Sequence, residues 1–270
     1  MELPIKPGAL FSVFKELKET TETPVLVAGT LADQLARELV AGGGDPTAVR
    51  TGGEPKDVAA MLYVLGDAVT EDDERMFKSA HRARVPTIVI AAGRQAPARI
   101  PFVLATDVVR IDPGHGFPID EIAQALAKKL GEKSTSLARR LPVLRPAVVE
   151  YLIDSFSKKN ALIGAAVFIP GVDLPVLTLN QIRMVLRISA AYGLDTDVQR
   201  VPELAATFGA AFGFRALARQ LLNIVPVLGW IVKAGVAYAG TRAIGEAAVR
   251  YCEAKTATQL QPASASASSF

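Results

Sequence analysis

The chain has 270 residues, half of them hydrophobic and 21% charged, with a net charge of +3, two histidines (His81, His115) and one cysteine, Cys252. The length gives room for two modest domains. A lone cysteine excludes an internal disulfide, and with only two histidines it argues against a structural zinc site. The charge is uneven: residues 1–138 hold 16 basic and 19 acidic side chains, residues 139–255 hold 14 and 8, and the last 15 residues hold none. A basic, apolar half suits an anionic membrane surface or an acidic partner; the alternative is that its arginines only solubilise a helical bundle. No nucleic-acid partner is expected.

Residues 1–23, beginning MELPIKPGALFSVFKELKET, lack the long apolar core of a signal peptide and read as a short amphipathic helix and linker, which makes a cytoplasmic protein the expectation. Residues 24–131 then alternate between two periods. PVLVAG reads as a buried strand, and LADQLARELVAG as a helix with Leu31, Leu35 and Leu39 on one face, ended by Gly42, Gly43 and Gly44. TAVRT is a short strand and MLYVLG a clear one. Thr70 caps the next helix, with Glu71–Glu74 in its first turn, where the helix dipole favours negative charge. PTIVIAAG is a further strand, FVLATDVVRI holds another, and a helix opens at Pro118 and closes at Gly131. This alternation predicts an α/β domain with a small parallel sheet, GTPase-like or Rossmann-like.

Ligands of such sheets sit at the carboxyl ends of the strands. After the first strand the loop runs Ala28-Gly29-Thr30. A Walker loop counted from Gly29 would place Gly-Lys-Ser/Thr at Gln34, Leu35 and Ala36, so both the phosphate lysine and the magnesium hydroxyl are missing. Asp67, after the third strand, faces a metal in one reading and closes a turn in the commoner one. The fourth strand ends Ala91-Ala92-Gly93-Arg94, without a guanine-reading Asn-Lys-x-Asp. His115, between Gly114 and Gly116, has no nucleophile near it in sequence and reads as a surface turn. The element order over residues 24–131 resembles a small GTPase domain stripped of its nucleotide motifs, and a flavodoxin-like or other doubly wound domain would read the same way.

Residues 144–255 are helical in pattern, an all-α domain. VLRPAVVEYLIDSFSKKNALIGAAVFIPG makes one helix or two. Thr178 reads as the cap of a helix from Leu179 to Tyr192, with Gly193 as its stop; Asn180, Arg183 and Arg187 form a narrow polar stripe on a mostly apolar surface, which implies near-complete burial. Two more helices divide near Pro226. Gly209 and Gly213 form a GxxxG, and Ala237, Thr241 and Gly245 continue small residues at spacing four, which lets helix backbones approach closely. Leu221–Ala239 and Ala161–Leu179 approach the length of a membrane span, but Lys233 and Asp173 interrupt them, each costing about 3 kcal/mol near a span centre. Residues 256–270 read as a disordered tail.

Pro170, Asp173, the run LNQIRMVLRISAAYG with Gln181, Met184, Ile188, Tyr192 and Gly193, and then Pro226, Gly229, Ala237, Thr241 and Gly245, resemble the family called domain of unknown function 697. That domain ends the YcjF-like membrane proteins and some bacterial proteins with an Era-type GTPase domain. The resemblance covers about a third of the chain and implies a helical domain after a GTPase-type one, with no catalytic residue to carry over. It makes Gln181 and Tyr192 the family's candidate functional side chains; the plainer reading has Gln181 bridging two helices and Tyr192 wedging a helix end.

The expectation is therefore a non-enzymatic protein with no cofactor and no metal, associated with the cytoplasmic side of the inner membrane or bound to a partner. Interaction candidates are Gln181, Arg183, Arg187, Tyr192, Arg215, Arg219 and Trp230. Self-association through small-residue helix faces is one partner mode. The alternatives are a soluble adaptor of a separate GTPase, and an enzyme using an unusual loop around Gly29, Asp67 and His115.

Overall fold

The computed structural model describes residues 22–93, 97, 99–111, 114, 116–166, 174–194 and 229–260. They form two compact units, Thr21–Tyr151 and, of the described residues, Leu152 onward.

The first unit is α/β. Its strands are β1 (Val25–Gly29), β2 (Val49–Thr51), β3 (Ala60–Leu65), β4 (Thr87–Ala91) and β5 (Val108–Arg110). They form one parallel sheet in the order β2-β1-β3-β4-β5, with Val25 level with Val49 and Ala60, and Met61 level with Thr87. The strands are apolar on both faces because helices cover both. Leu26, Ala28, Met61, Tyr63, Leu65 and Val89 pack with Phe77 and Ala80 of helix α2 (Glu71–Arg82). The alternate residues Val25, Val27, Leu62, Val64, Ile88 and Ile90 are fully buried and face the other way. Helix α1 (Ala32–Val40) packs against β1 and β2, and α3 (Ile119–Leu130) against β4 and β5.

Local chemistry sets these elements. Thr70 and Asp73 form a capping box at α2: the Asp73 amide donates to Thr70 Oγ1 at 3.2 Å and the Thr70 amide to Asp73 Oδ2 at 2.8 Å. Gly42 and Gly43, at φ +77° and +90°, turn the chain after α1. Leu35 and Leu39 are buried as expected, but Leu31 is 57% exposed. It sits before the first helical turn with φ 57°, so the helical period that would place it beside Leu35 has not yet begun.

The unit runs past residue 131 to Tyr151. Helix α4 (Ser134–Arg140) is held to the turn before β2 by Arg140, whose Nε donates to Asp45 Oδ2 at 2.9 Å and whose Nη2 donates to Thr47 Oγ1 at 2.7 Å. The Asp45 amide returns a bond to the Arg140 carbonyl at 2.8 Å.

The division between units falls inside helix α5 (Arg145–Ala166), a single helix. From Leu152 onward it packs with α6 (Leu174–Ala191) and α7 (Gly229–Leu260). Helix α6 starts five residues before the expected Leu179, because Pro175 is accommodated in a first turn, where its missing N–H has no partner to lose. Thr178 is consequently an interior residue, 3% exposed, and no cap. Gly193 ends the helix as expected, at φ 72°, with the Leu194 amide reaching the Ser189 carbonyl at 3.0 Å. Helix α7 continues to Leu260, so residues 256–260 are helical and not tail; the Thr256 and Thr258 hydroxyls donate to the carbonyls of Cys252 and Ala254, both at 2.9 Å. The expected helix before Pro226 and its GxxxG lie outside the described residues.

Candidate functional site

Two places in the fold concentrate chemistry. The first is the carboxyl edge of the sheet at the point between β1 and β3, where the direction of strand progression reverses. Only Thr30 and Leu31 connect β1 to α1. Gly29 has φ +87°, and a Cβ there would lie 2.1 Å from the Val64 carbonyl oxygen, so this glycine serves the close approach of two strands. The Thr30 amide donates to that carbonyl at 2.9 Å and its hydroxyl at 3.2 Å. The amides of Gln34 and Leu35 are bonded to the Leu31 carbonyl, and Asp33 occupies the first turn of α1.

Phosphate loops work by converging free amides and a cation on the anion. Here the loop is two residues long, its Thr30 amide is spent on Val64, and the acid of Asp33 opposes a bound phosphate. The next connection is equally closed, because a Cβ on Gly93 would lie 2.6 Å from the backbone and carboxylate of Asp67. Asp67 thus lies in a packed turn against Gly93. Among the described residues, no three His, Cys, Asp or Glu side chains stand close enough to share a metal ion. His115 lies outside them.

Behind this edge, the Tyr63 hydroxyl on β3 donates to Asp73 of α2. Burial, then this bond and the Asp73 charge, push the Tyr63 hydroxyl well above the ordinary tyrosine range. Burial alone would raise Asp73; the bonds from Tyr63 and from the Thr70 backbone and side chain outweigh it and hold the carboxylate below its usual value. The pair ties strand to helix cap.

The second place is a polar layer inside the helical unit. Asn160 on α5 is fully buried; its Nδ2 donates to Thr241 Oγ1 on α7 at 2.9 Å, and its Oδ1 accepts from Asn180 Nδ2 on α6 at 2.9 Å. Gln181 Nε2 on α6 donates to the same Thr241 oxygen at 3.1 Å, and the Thr241 hydroxyl donates on to the Ala237 carbonyl at 2.7 Å. Three helices are thus joined through one hydroxyl. Small residues permit the approach: a Cβ on Gly164 would lie 3.1 Å from Ala237, and one on Gly245 would lie 2.6 Å from Ile153. Ser157, one turn before Asn160, is fully buried, and its Oγ has no hydrogen-bond partner among the described residues.

Gln181 therefore bridges two helices. Tyr192 donates its hydroxyl to Glu253 Oε1 at 3.2 Å, pinning the end of α6 to α7. Arg187 is 5% exposed, and Arg183 is half-buried with an Nε that lacks a hydrogen-bond partner among the described residues. Arg215, Arg219, Pro170, Asp173 and Pro226 lie outside the described residues; Trp230 is described only by its place in the first turn of α7. Asn160 and Ser157 went unnoticed in the sequence. The signal was an amide three residues after Ser157, four after Phe156 and four before Gly164, on the face the helix buries. Comparison of the chain with family models, with curated proteins and with solved structures found no match.

Proposed function

We propose that this protein is a non-catalytic interaction protein. In this reading its α/β unit is a scaffold without a nucleotide site, and its helical unit docks on the cytoplasmic face of the inner membrane. The observation that carries the first part is the Thr30 amide and hydroxyl both spent on the Val64 carbonyl, where a nucleotide phosphate would have to sit. Of the readings open for this half, the strand order favours the flavodoxin-like one over a GTPase relic, since β2-β1-β3-β4-β5 is that doubly wound order.

For the helical half, the resemblance to domain of unknown function 697 and the excess of basic over acidic side chains support surface attachment. Among the described residues no helix is long and apolar enough to cross a membrane, so the attachment proposed is peripheral. Titration calorimetry of the full chain with GTP, GDP and ATP plus magnesium tests the first part: no heat is expected, and micromolar binding would overturn it. Flotation with phosphatidylglycerol-containing vesicles tests the second. Co-flotation that weakens with salt is expected, and a protein that stays at the bottom of the gradient at low salt rules out membrane docking.

A further inference from the structure

A shallow depression of about 430 Å³ lies between α1 and β2, lined by Ala36, Arg37, Val40 and Ala41 of the helix and its end, by Pro46, and by Val49 and Thr51 of the strand. β2 is the edge of the sheet and pairs on one side only among the described residues. The ladder phase decides which backbone groups point outward. The Gly52 amide donates to the Val27 carbonyl at 3.2 Å, so residues 50 and 52 turn their backbone groups toward β1. Residues 49 and 51 turn theirs away. The Val49 amide is spent on the Pro46 carbonyl. The Val49 carbonyl and both backbone groups of Thr51 therefore face the open edge, beside the depression that the same two residues line.

The walls are apolar except for Thr51 and Arg37, and Arg37 is exposed and forms no ion pair among the described residues. Of the neighbouring acids, Glu38 accepts from Gln34 at 3.1 Å and Asp45 is held by Arg140, while the exposed Asp33, one helical turn before Arg37, forms no ion pair with it. A strand edge open among the described residues, a groove for alternate side chains and a cation unpaired among those residues make up a strand-addition site. We propose that β2 accepts an extended segment of a partner protein, with an apolar side chain in the depression and a carboxylate on Arg37. The edge is three residues long, so few backbone bonds are available and the side chains in the depression supply most of the discrimination. The proposal goes beyond the reading above, and neither nucleotide binding nor vesicle binding bears on it.

The test is selection of random linear displayed peptides on the full chain, followed by binding to variants. Thr51→Pro removes an outward amide without touching the ladder to β1. Arg37→Glu reverses the charge of an exposed side chain outside the strand, so it reads the site even if the proline variant unfolds. The expected result is enriched peptides with an acidic residue at a fixed offset from an apolar one, weakened about tenfold or more by each variant, and slower amide exchange at Thr51 when bound. Three results would overturn the proposal: no enrichment, enriched peptides that bind both variants like the native chain, or a concentration-dependent dimer abolished by Thr51→Pro, which would put a second copy on the edge.

Discussion

Gly29 and Gly43 both have left-handed backbones, yet their surroundings differ. A methyl at Gly29 meets the Val64 carbonyl, while one at Gly43 meets nothing within 4 Å. Gly43→Ala is expected to cost about 1 kcal/mol, the left-handed penalty alone. Gly29→Ala adds an overpacking term and should cost about 3 kcal/mol or more. Urea unfolding of the two variants checks the contrast; equal costs would mean β1 and β3 do not approach as closely as described. The Tyr63–Asp73 pair makes stability fall at both pH extremes. Asp73 is depressed in the fold, so its contribution is full above the unfolded value of about 4 and is lost as pH falls through the folded one. Tyr63 is raised, so its contribution is full below the unfolded value of about 10 and is lost as pH rises beyond it. In an absorbance titration, one of the five tyrosines should ionise only as the protein unfolds in alkali, and Tyr63→Phe should remove that lagging step.

At the scale of elements, the polar layer converts three helix faces into one register. Thr241→Val removes one acceptor from each of two buried amide donors, Asn160 and Gln181, while the Asn160 amide keeps the Leu177 carbonyl at 3.5 Å, and is expected to destabilise by about 1–3 kcal/mol. Asn160→Leu combined with Thr241→Val should cost less than the two single changes added, because the Asn160 amide that Thr241→Val deprives of its acceptor is then gone, while Gln181 and Asn180 each lose one bond in the double variant as in the singles. A double-mutant cycle on thermal or urea unfolding measures this; simple additivity would mean the bond at 2.9 Å carries no coupling. The cap of α2 gives a smaller effect, with Thr70→Ala expected to cost about 1 kcal/mol.

Across the whole molecule, the chain divides at Tyr151, inside α5. A fragment of residues 22–151 retains the sheet, α1–α4 and the Arg140 clasp, and is expected to unfold cooperatively by circular dichroism. A fragment that never gains a folded signal would show that the α/β unit depends on the rest of the chain.

The alternation of apolar strands and amphipathic helices, the Thr70 cap and the glycine stops were legible in the sequence by themselves, because short-range sterics and burial period decide them and both are local. So was the stripe Ala237, Thr241 and Gly245, since small residues at spacing four mark a helix face wherever it packs. Which helix meets that stripe was not legible: Asn160 lies 81 residues from Thr241, and its amide looks like any solvated one until α5 and α7 close on each other. The early start of α6 and the exposure of Leu31 turned on a proline accommodated in a first turn and on one left-handed residue, where local rules permit more than one outcome. The closure of the loop by Thr30 and the edge position of β2 among the described residues were decided only by strand order, because the partners of a backbone amide depend on which strand lies beside it.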